Sequence, residues 1–255
     1  MTYLESIVLG IIEGLTEFLP VSSTGHLILA AELLGIPQTE AFKSFEIAIQ
    51  LGSILAVVVY FWRSFLDIEI LKRLAIAFIP TGLVGFFLYR FIKDALIGDP
   101  MIVVWALALG GVVIIVVEYV MRGRVETDAK VQDITYLQSF LIGAAQSFAV
   151  IPGVSRSGAS VIGGLLLGVP RATLLTFTFL LAVPTMVMAT AYDLYKTPEA
   201  LMGANLSLLA LGFVTAFVVA LFIVRYALVF VRRYTFAPFG WYRIVLAALF
   251  LLLVF

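Results

Sequence analysis

Residues 13–26, EGLTEFLPVSSTGH, gather two glutamates, two serines, two threonines and the chain's single histidine. On a helix, Glu13 and Glu17 share one face. Two carboxylates at that spacing repel each other and call for a cation or a shared proton. A hard divalent ion with oxygen ligands, Mg²⁺ or Ca²⁺, suits them. Pro20 breaks the segment, and Ser22, Ser23 and Thr24 follow it. They stand where side chains cap a new helix whose free amides form an anion site. His26 comes three residues after Ser23, within reach on one turn, and the preceding glutamates could orient it as base or nucleophile. The plainer readings are an interfacial helix with solvated glutamates, capping serines and a structural histidine.

A second cluster, PGVSRSGAS (152–160), has the same form. Arg156 lies between Ser155 and Ser157, beside glycines, at the start of an apolar segment. An arginine there can clamp a phosphate through two N–H groups while freed amides bind the same anion; the plain alternative is snorkelling to a lipid headgroup. Carboxylates, a metal, hydroxyls, a histidine, an arginine and helix N-termini together equip a site for phosphoryl transfer, where positioning and charge stabilisation dominate. Weaker signals are Glu46 with Gln50 and Thr173 with Thr176, which line a cavity or join helices. Asp67, Glu69, Lys72 and Arg73 read as a solvated loop. Gly82, Gly85, Gly110 and Gly111 read as sites of close helix packing.

The elements that must hold these residues are membrane helices. Hydrophobic residues make up 63% of the chain and charged residues 13%, with a mean hydropathy of +1.14; a soluble domain has roughly 45–50% and about 25%. Apolar runs at 45–62, 74–92, 101–121, 172–191, 206–224 and 241–255 approach the ~20 residues needed to cross hydrocarbon. The first twenty residues lack a basic region and carry Glu5, Glu13 and Glu17, unlike a signal peptide. No cysteine is present, which excludes disulfides and thiol chemistry. A formal net charge of zero gives no reason to expect nucleic acid.

At an offset of 133, residues 10–37 align without gaps on 143–170, and eight of 28 pairs are identical where roughly two or three are expected. Glu13 falls opposite Gln146, and Ser23 opposite Arg156. Each copy has an apolar helix, a Pro/Gly/Ser-rich break and a short apolar segment ending in Leu-Gly-x-Pro. Broken backbone at membrane depth is tolerated only when buried in protein or lining a wet cavity, and paired interruptions in two halves point to a midplane site between inverted repeats. The expected fold is therefore all-α: a single polytopic membrane bundle over 1–255. Its inverted-topology repeats, about 1–121 and 134–255, are joined by the polar loop 122–133 and carry two re-entrant helical segments. Three Lys/Arg in each of loops 63–73, 122–133 and the Arg232–Arg243 turn, against two in 90–100 and one in 196–204, set the orientation.

The two motifs, with FEIAIQLGSILAVVVYFW (45–62) between them, resemble the bacitracin-resistance, undecaprenyl-diphosphate phosphatase family across essentially the whole chain. The resemblance implies an integral enzyme of the cell membrane that uses a divalent cation, with its site open to the outer face. It would hydrolyse undecaprenyl (polyprenyl) diphosphate to the monophosphate and inorganic phosphate, recycling the carrier for cell-wall synthesis and giving bacitracin resistance. It places metal binding on Glu13 and Glu17, the nucleophile candidate on Ser23, the essential histidine on His26 and the motif arginine on Arg156. Ser22, Thr24, Gln146, Ser155, Ser157 and Ser160 are expected around the substrate, with Ser160 standing where the family motif has threonine. Expected partners are the lipid substrate and the bilayer, with no nucleic acid; a homodimer is left open. A phosphatidic-acid-phosphatase type needs a second histidine, which this chain lacks. The alternative of another class is a lipid-phosphate flippase or transporter using the same inverted-repeat cavity.

Overall fold

The computed structural model describes residues 1–37, 39–91, 100–122, 129–196 and 205–254. These form helices α1 (Tyr3–Thr16), α2 (Ser23–Leu33), α3 (Glu40–Tyr60), α4 (Ile68–Phe91) and α5 (Pro100–Val120), then α6 (Tyr136–Gln146), α7 (Arg156–Leu166), α8 (Arg171–Lys196), α9 (Leu206–Val231) and α10 (Ala237–Val254). Among the described residues there is no strand. Five helices (α3, α4, α5, α8 and α9) are long and apolar enough to cross a membrane, and α10 is a shorter apolar helix. Many of their large apolar side chains face outward: Phe87 is 74% exposed, Trp105 59% and Phe222 59%. Apolar surface on this scale requires a lipid covering.

Local signals recur at the 133-residue offset. Thr2 caps α1 in a reciprocal box with Glu5, and Thr135 caps α6 in the same way with Gln138. At 14 and 11 residues, α1 and α2 are about 21 and 16 Å long, short of the ~30 Å hydrocarbon core. Ser22 and Ser155 cap α2 and α7, with φ of 71° and 72°, an uncommon backbone state for non-glycine residues. Gly35 and Gly168 close the same two helices with φ of 64° and 78°. The Ile36 amide bonds back to Ala31 and the Val169 amide to Gly164, a Schellman close before Pro37 and Pro170.

The halves interlock. The first helix of each lies on the fourth helix of the other: α1 on α9 and α6 on α4. Gly10 and its counterpart Gly143 allow this approach, since a Cβ at either would meet backbone, the Gly212 carbonyl and Ala77 respectively. α3 packs on α8, and α5 on α10. At one end, Arg171 donates two hydrogen bonds to Glu118 (3.1 and 2.5 Å), which also accepts from the Phe236 amide at 2.7 Å, tying α5, α8 and α10 together.

Three expectations change. Asp67, Glu69, Lys72 and Arg73 are not a plain solvated loop, because α4 starts at Ile68 and they dock onto the second half. Gln132 donates to Asp67 at 2.7 Å, Tyr136 to Glu69 at 2.9 Å, and Arg73 to the Ile134 carbonyl at 2.6 Å. The Gln132 amide and the backbone amides of Ile70 and Glu69 hold the Asp67 carboxyl below its usual range. Gly85 faces open space instead of a helix. Arg243 is no loop charge: it lies inside α10 and is 0% exposed, which leaves that turn with Arg232 and Arg233. Loops 90–100, 122–133 and 196–204, used for orientation, fall largely outside the described residues.

Candidate active site

The site forms where α2 and α7 begin. Ser23 and Arg156 are the first residues of those helices, and both donate to one carboxylate, that of Glu17, just beyond the end of α1. Ser23 Oγ donates to Glu17 Oε2, and Arg156 Nη2 donates to Oε1 at 2.5 Å. Glu17 and Ser23 are buried, and the Arg156 side chain is 15% exposed. Arg156 Nη1 is buried without a hydrogen-bond partner. Two helix N-termini, each with a partial positive charge, therefore meet beside a guanidinium with an N–H to spare, an arrangement suited to a phosphate.

Glu13, one turn before Glu17, is 0% exposed. Neither of its carboxylate oxygens has a hydrogen-bond partner. Its counterpart Gln146 is equally buried but fully engaged. Gln146 donates to the hydroxyls of Thr81 and Thr185, both at 3.1 Å, and accepts from Ser160 at 3.1 Å. Leu27 stands at the position equivalent to Ser160 and offers no side-chain donor. A carboxylate stripped of donors and set against a second carboxylate fits a hard cation. Glu46 on α3 is within electrostatic reach of Glu13. Among the described residues, however, no three acidic or histidine side chains converge as a complete ligand set, so further ligands would have to be oxygens of another kind.

His26 is placed differently from expectation. Its Nδ1 lies 2.8 Å from the Ser22 carbonyl and its Nε2 lies 2.7 Å from the Tyr242 hydroxyl. Neither glutamate orients it. The remaining hydroxyls mostly hold the frame. Ser22 and Ser155 accept from the Gly25 and Gly158 amides, at 3.4 and 3.1 Å. Ser157 donates to the Leu19 carbonyl at 2.7 Å, joining α7 to the first half's break. Gln146 and Ser160 bond to each other within the core, whereas Thr24 is exposed. Thr173 and Thr176 bond to the Ala129 and Ala172 carbonyls and serve to join backbone.

A family model described as bacitracin resistance protein BacA matches residues 6–249. The chain belongs to the BacA family. It is similar to the undecaprenyl-diphosphatase of Sulfurihydrogenibium sp. (strain YO3AOP1), 51% identical over 252 residues and 99% of each chain. It is also similar to those of Persephonella marina, 53% over 256 residues and 100% of each chain, and Aquifex aeolicus, 50% over 248 residues and 96% of each.

In this BacA-family chain two further residues, both on α10, support the site and were not singled out from sequence. Tyr242 holds His26. Arg243 donates to five backbone carbonyls: Pro20 in the first break (3.3 Å), Gly153 and Val154 in the second (2.9 Å each), and Ala106 and Leu107 on α5 (2.8 and 3.2 Å). One buried guanidinium thus staples both breaks to α5. The available signal was an arginine inside an apolar run, which is costly unless it has work to do.

Proposed function

We propose that this protein is an undecaprenyl-diphosphatase of the cell membrane, releasing inorganic phosphate and undecaprenyl phosphate and so returning the lipid carrier to cell-wall synthesis. Bacitracin resistance fits the family. The observation that carries the reading is the Glu17 carboxylate shared by Ser23 and Arg156. Glu17 accepts the Ser23 proton as Ser23 Oγ attacks the terminal phosphorus; the bond from that phosphorus to the bridging oxygen breaks, and the lipid monophosphate leaves with the electron pair. Water then cleaves the phosphoserine, returning Ser23 and giving inorganic phosphate. Arg156 and the amides opening α2 and α7 stabilise the charge that develops on the phosphoryl oxygens. His26 lies on the next turn of α2 from Ser23, as base for the attacking water. Glu13 and Glu17 are the residues that would hold Mg²⁺ or Ca²⁺, which when bound neutralises diphosphate charge.

The short helices support a re-entrant reading. If α1–α2 and α6–α7 enter and leave on one side, each half crosses the membrane three times (α3–α5 and α8–α10). An odd number of crossings inverts the second half relative to the first and brings both breaks to membrane depth, with the site open to the outer face. The test is phosphate release from undecaprenyl diphosphate by purified protein in detergent, with and without chelator. Wild type is expected to release phosphate, and Ser23→Ala and Arg156→Ala to lose nearly all of it. Undiminished release by either variant sinks the assignment, and no release by wild type favours a lipid-phosphate transporter.

A further inference from the structure

The reaction as described uses Ser23, Glu17, Arg156 and His26, but leaves unexplained why a tyrosine from the last helix meets the only histidine. The His26 ring is tied at both ends. Its Nδ1 faces the Ser22 carbonyl at 2.8 Å. A carbonyl only accepts, so Nδ1 carries the proton. In the neutral ring Nε2 is then the lone-pair nitrogen, and the Tyr242 hydroxyl at 2.7 Å donates to it. The two rings lie parallel within 4°, with centroids 5.5 Å apart. His26 is half-buried and Tyr242 is 46% exposed. The basic nitrogen of His26 is therefore presented at an accessible edge of the site.

The backbone around Tyr242 is anchored with unusual strength. The next residue, Arg243, is the guanidinium bonded to the carbonyls of Pro20, Gly153 and Val154. The grip on the two broken segments and the contact to His26 thus come from adjacent residues of one helix turn. A hydroxyl fixed in this way selects the tautomer and aims the ring, which an isolated histidine on a short helix could not do for itself.

We propose that Tyr242 is a positioning residue for His26: its hydroxyl holds the imidazole with Nδ1 protonated and Nε2 as the basic, lone-pair nitrogen. This rests on the role given to His26 above. Because the chain has one histidine, labelling with ¹⁵N-histidine gives a spectrum of that ring alone. In Tyr242→Phe the Nε2 resonance is expected to shift while the Nδ1–H signal stays, which also reports an intact fold. In phosphate-release kinetics, Tyr242→Phe should lower kcat on the order of 10-fold with KM within about twofold. In a His26→Ala background the same change should alter kcat by less than about twofold. An unshifted Nε2, or a full loss that persists without His26, overturns the proposal. His26→Ala with undiminished phosphate release overturns the role of His26 in the reaction separately, since the resonance still reports the contact.

Discussion

Ser23 and Arg156 occupy equivalent positions in the two halves, 133 residues apart, and both donate to the carboxylate of Glu17. The position equivalent to Glu17 is Val150, so the first half supplies the shared acceptor and no mirror copy of this site exists. One half contributes a hydroxyl and the other a cation, and a single carboxylate holds both.

Glu17→Gln offers Ser23 no anionic acceptor and leaves Arg156 unneutralised. Phosphate release should fall by about 10²–10⁴, the usual contribution of a positioned base. Arg156→Lys keeps the charge but loses the planar fork, and a loss on the order of 10² is expected. Steady-state phosphate release checks both, with the loss expected in kcat.

Glu13 is buried with no donor, a cost that only a cation or a proton removes. Glu13→Gln should raise Tm in chelator relative to wild type, by several degrees. The rise in Tm that Mg²⁺ gives wild type should shrink in the variant, since ligand binding to the native state stabilises by mass action. Thermal melts with and without chelator measure both; an equal Mg²⁺ response in wild type and variant counts against Glu13 as a ligand.

Arg243→Met strips five carbonyls of their partner and should destabilise by about 3 kcal/mol or more. Gly110→Ala approaches the same point from the other side: its Cβ would lie 2.8 Å from Arg243 Cζ, so stability and activity should fall together. Gly85→Ala, where nothing lies within 4 Å, is the control and should be neutral or stabilise by up to about 1 kcal/mol. Protease resistance in detergent ranks the three.

Topology can be read with single cysteines, because the chain has none of its own. Arg63 follows α3, and Asn205 lies in the corresponding connection after α8; both are exposed. Under inversion, Arg63→Cys and Asn205→Cys should react with an impermeant maleimide from opposite sides of the membrane. Labelling from the same side removes the inverted reading.

Much of the site was legible because its signals are local. Ser22 and Ser155, Gly35 and Gly168, and the prolines after them are stop and start instructions that need no tertiary context. The carboxylate spacing of Glu13 and Glu17 likewise marked a feature that survives folding. The inverted-repeat reading brings Arg156 towards Glu13 and Glu17 from the other half, and Arg156 does bond Glu17 across 139 residues; what sequence left open was that Ser23 shares the same carboxylate. His26 was assigned to the glutamates of its own segment, whereas its partner lies 216 residues on. Arg243 was counted with the loop charges because Arg232 and Arg233 precede it; only the packing of α10 on α5 reveals it as buried. Gln146 differs from Glu13 by one functional group, and only their surroundings separate a satisfied amide from an unsatisfied acid.

The position of Arg243 makes the two breaks depend on the last helix. Its five carbonyl partners lie at Pro20, Ala106, Leu107, Gly153 and Val154, three stretches far apart in the chain, and the guanidinium also rests against Gly110. A chain interrupted before α10 would leave all five carbonyls without this donor, so the broken segments that carry Ser23 and Arg156 are held in register only when α10 is in place.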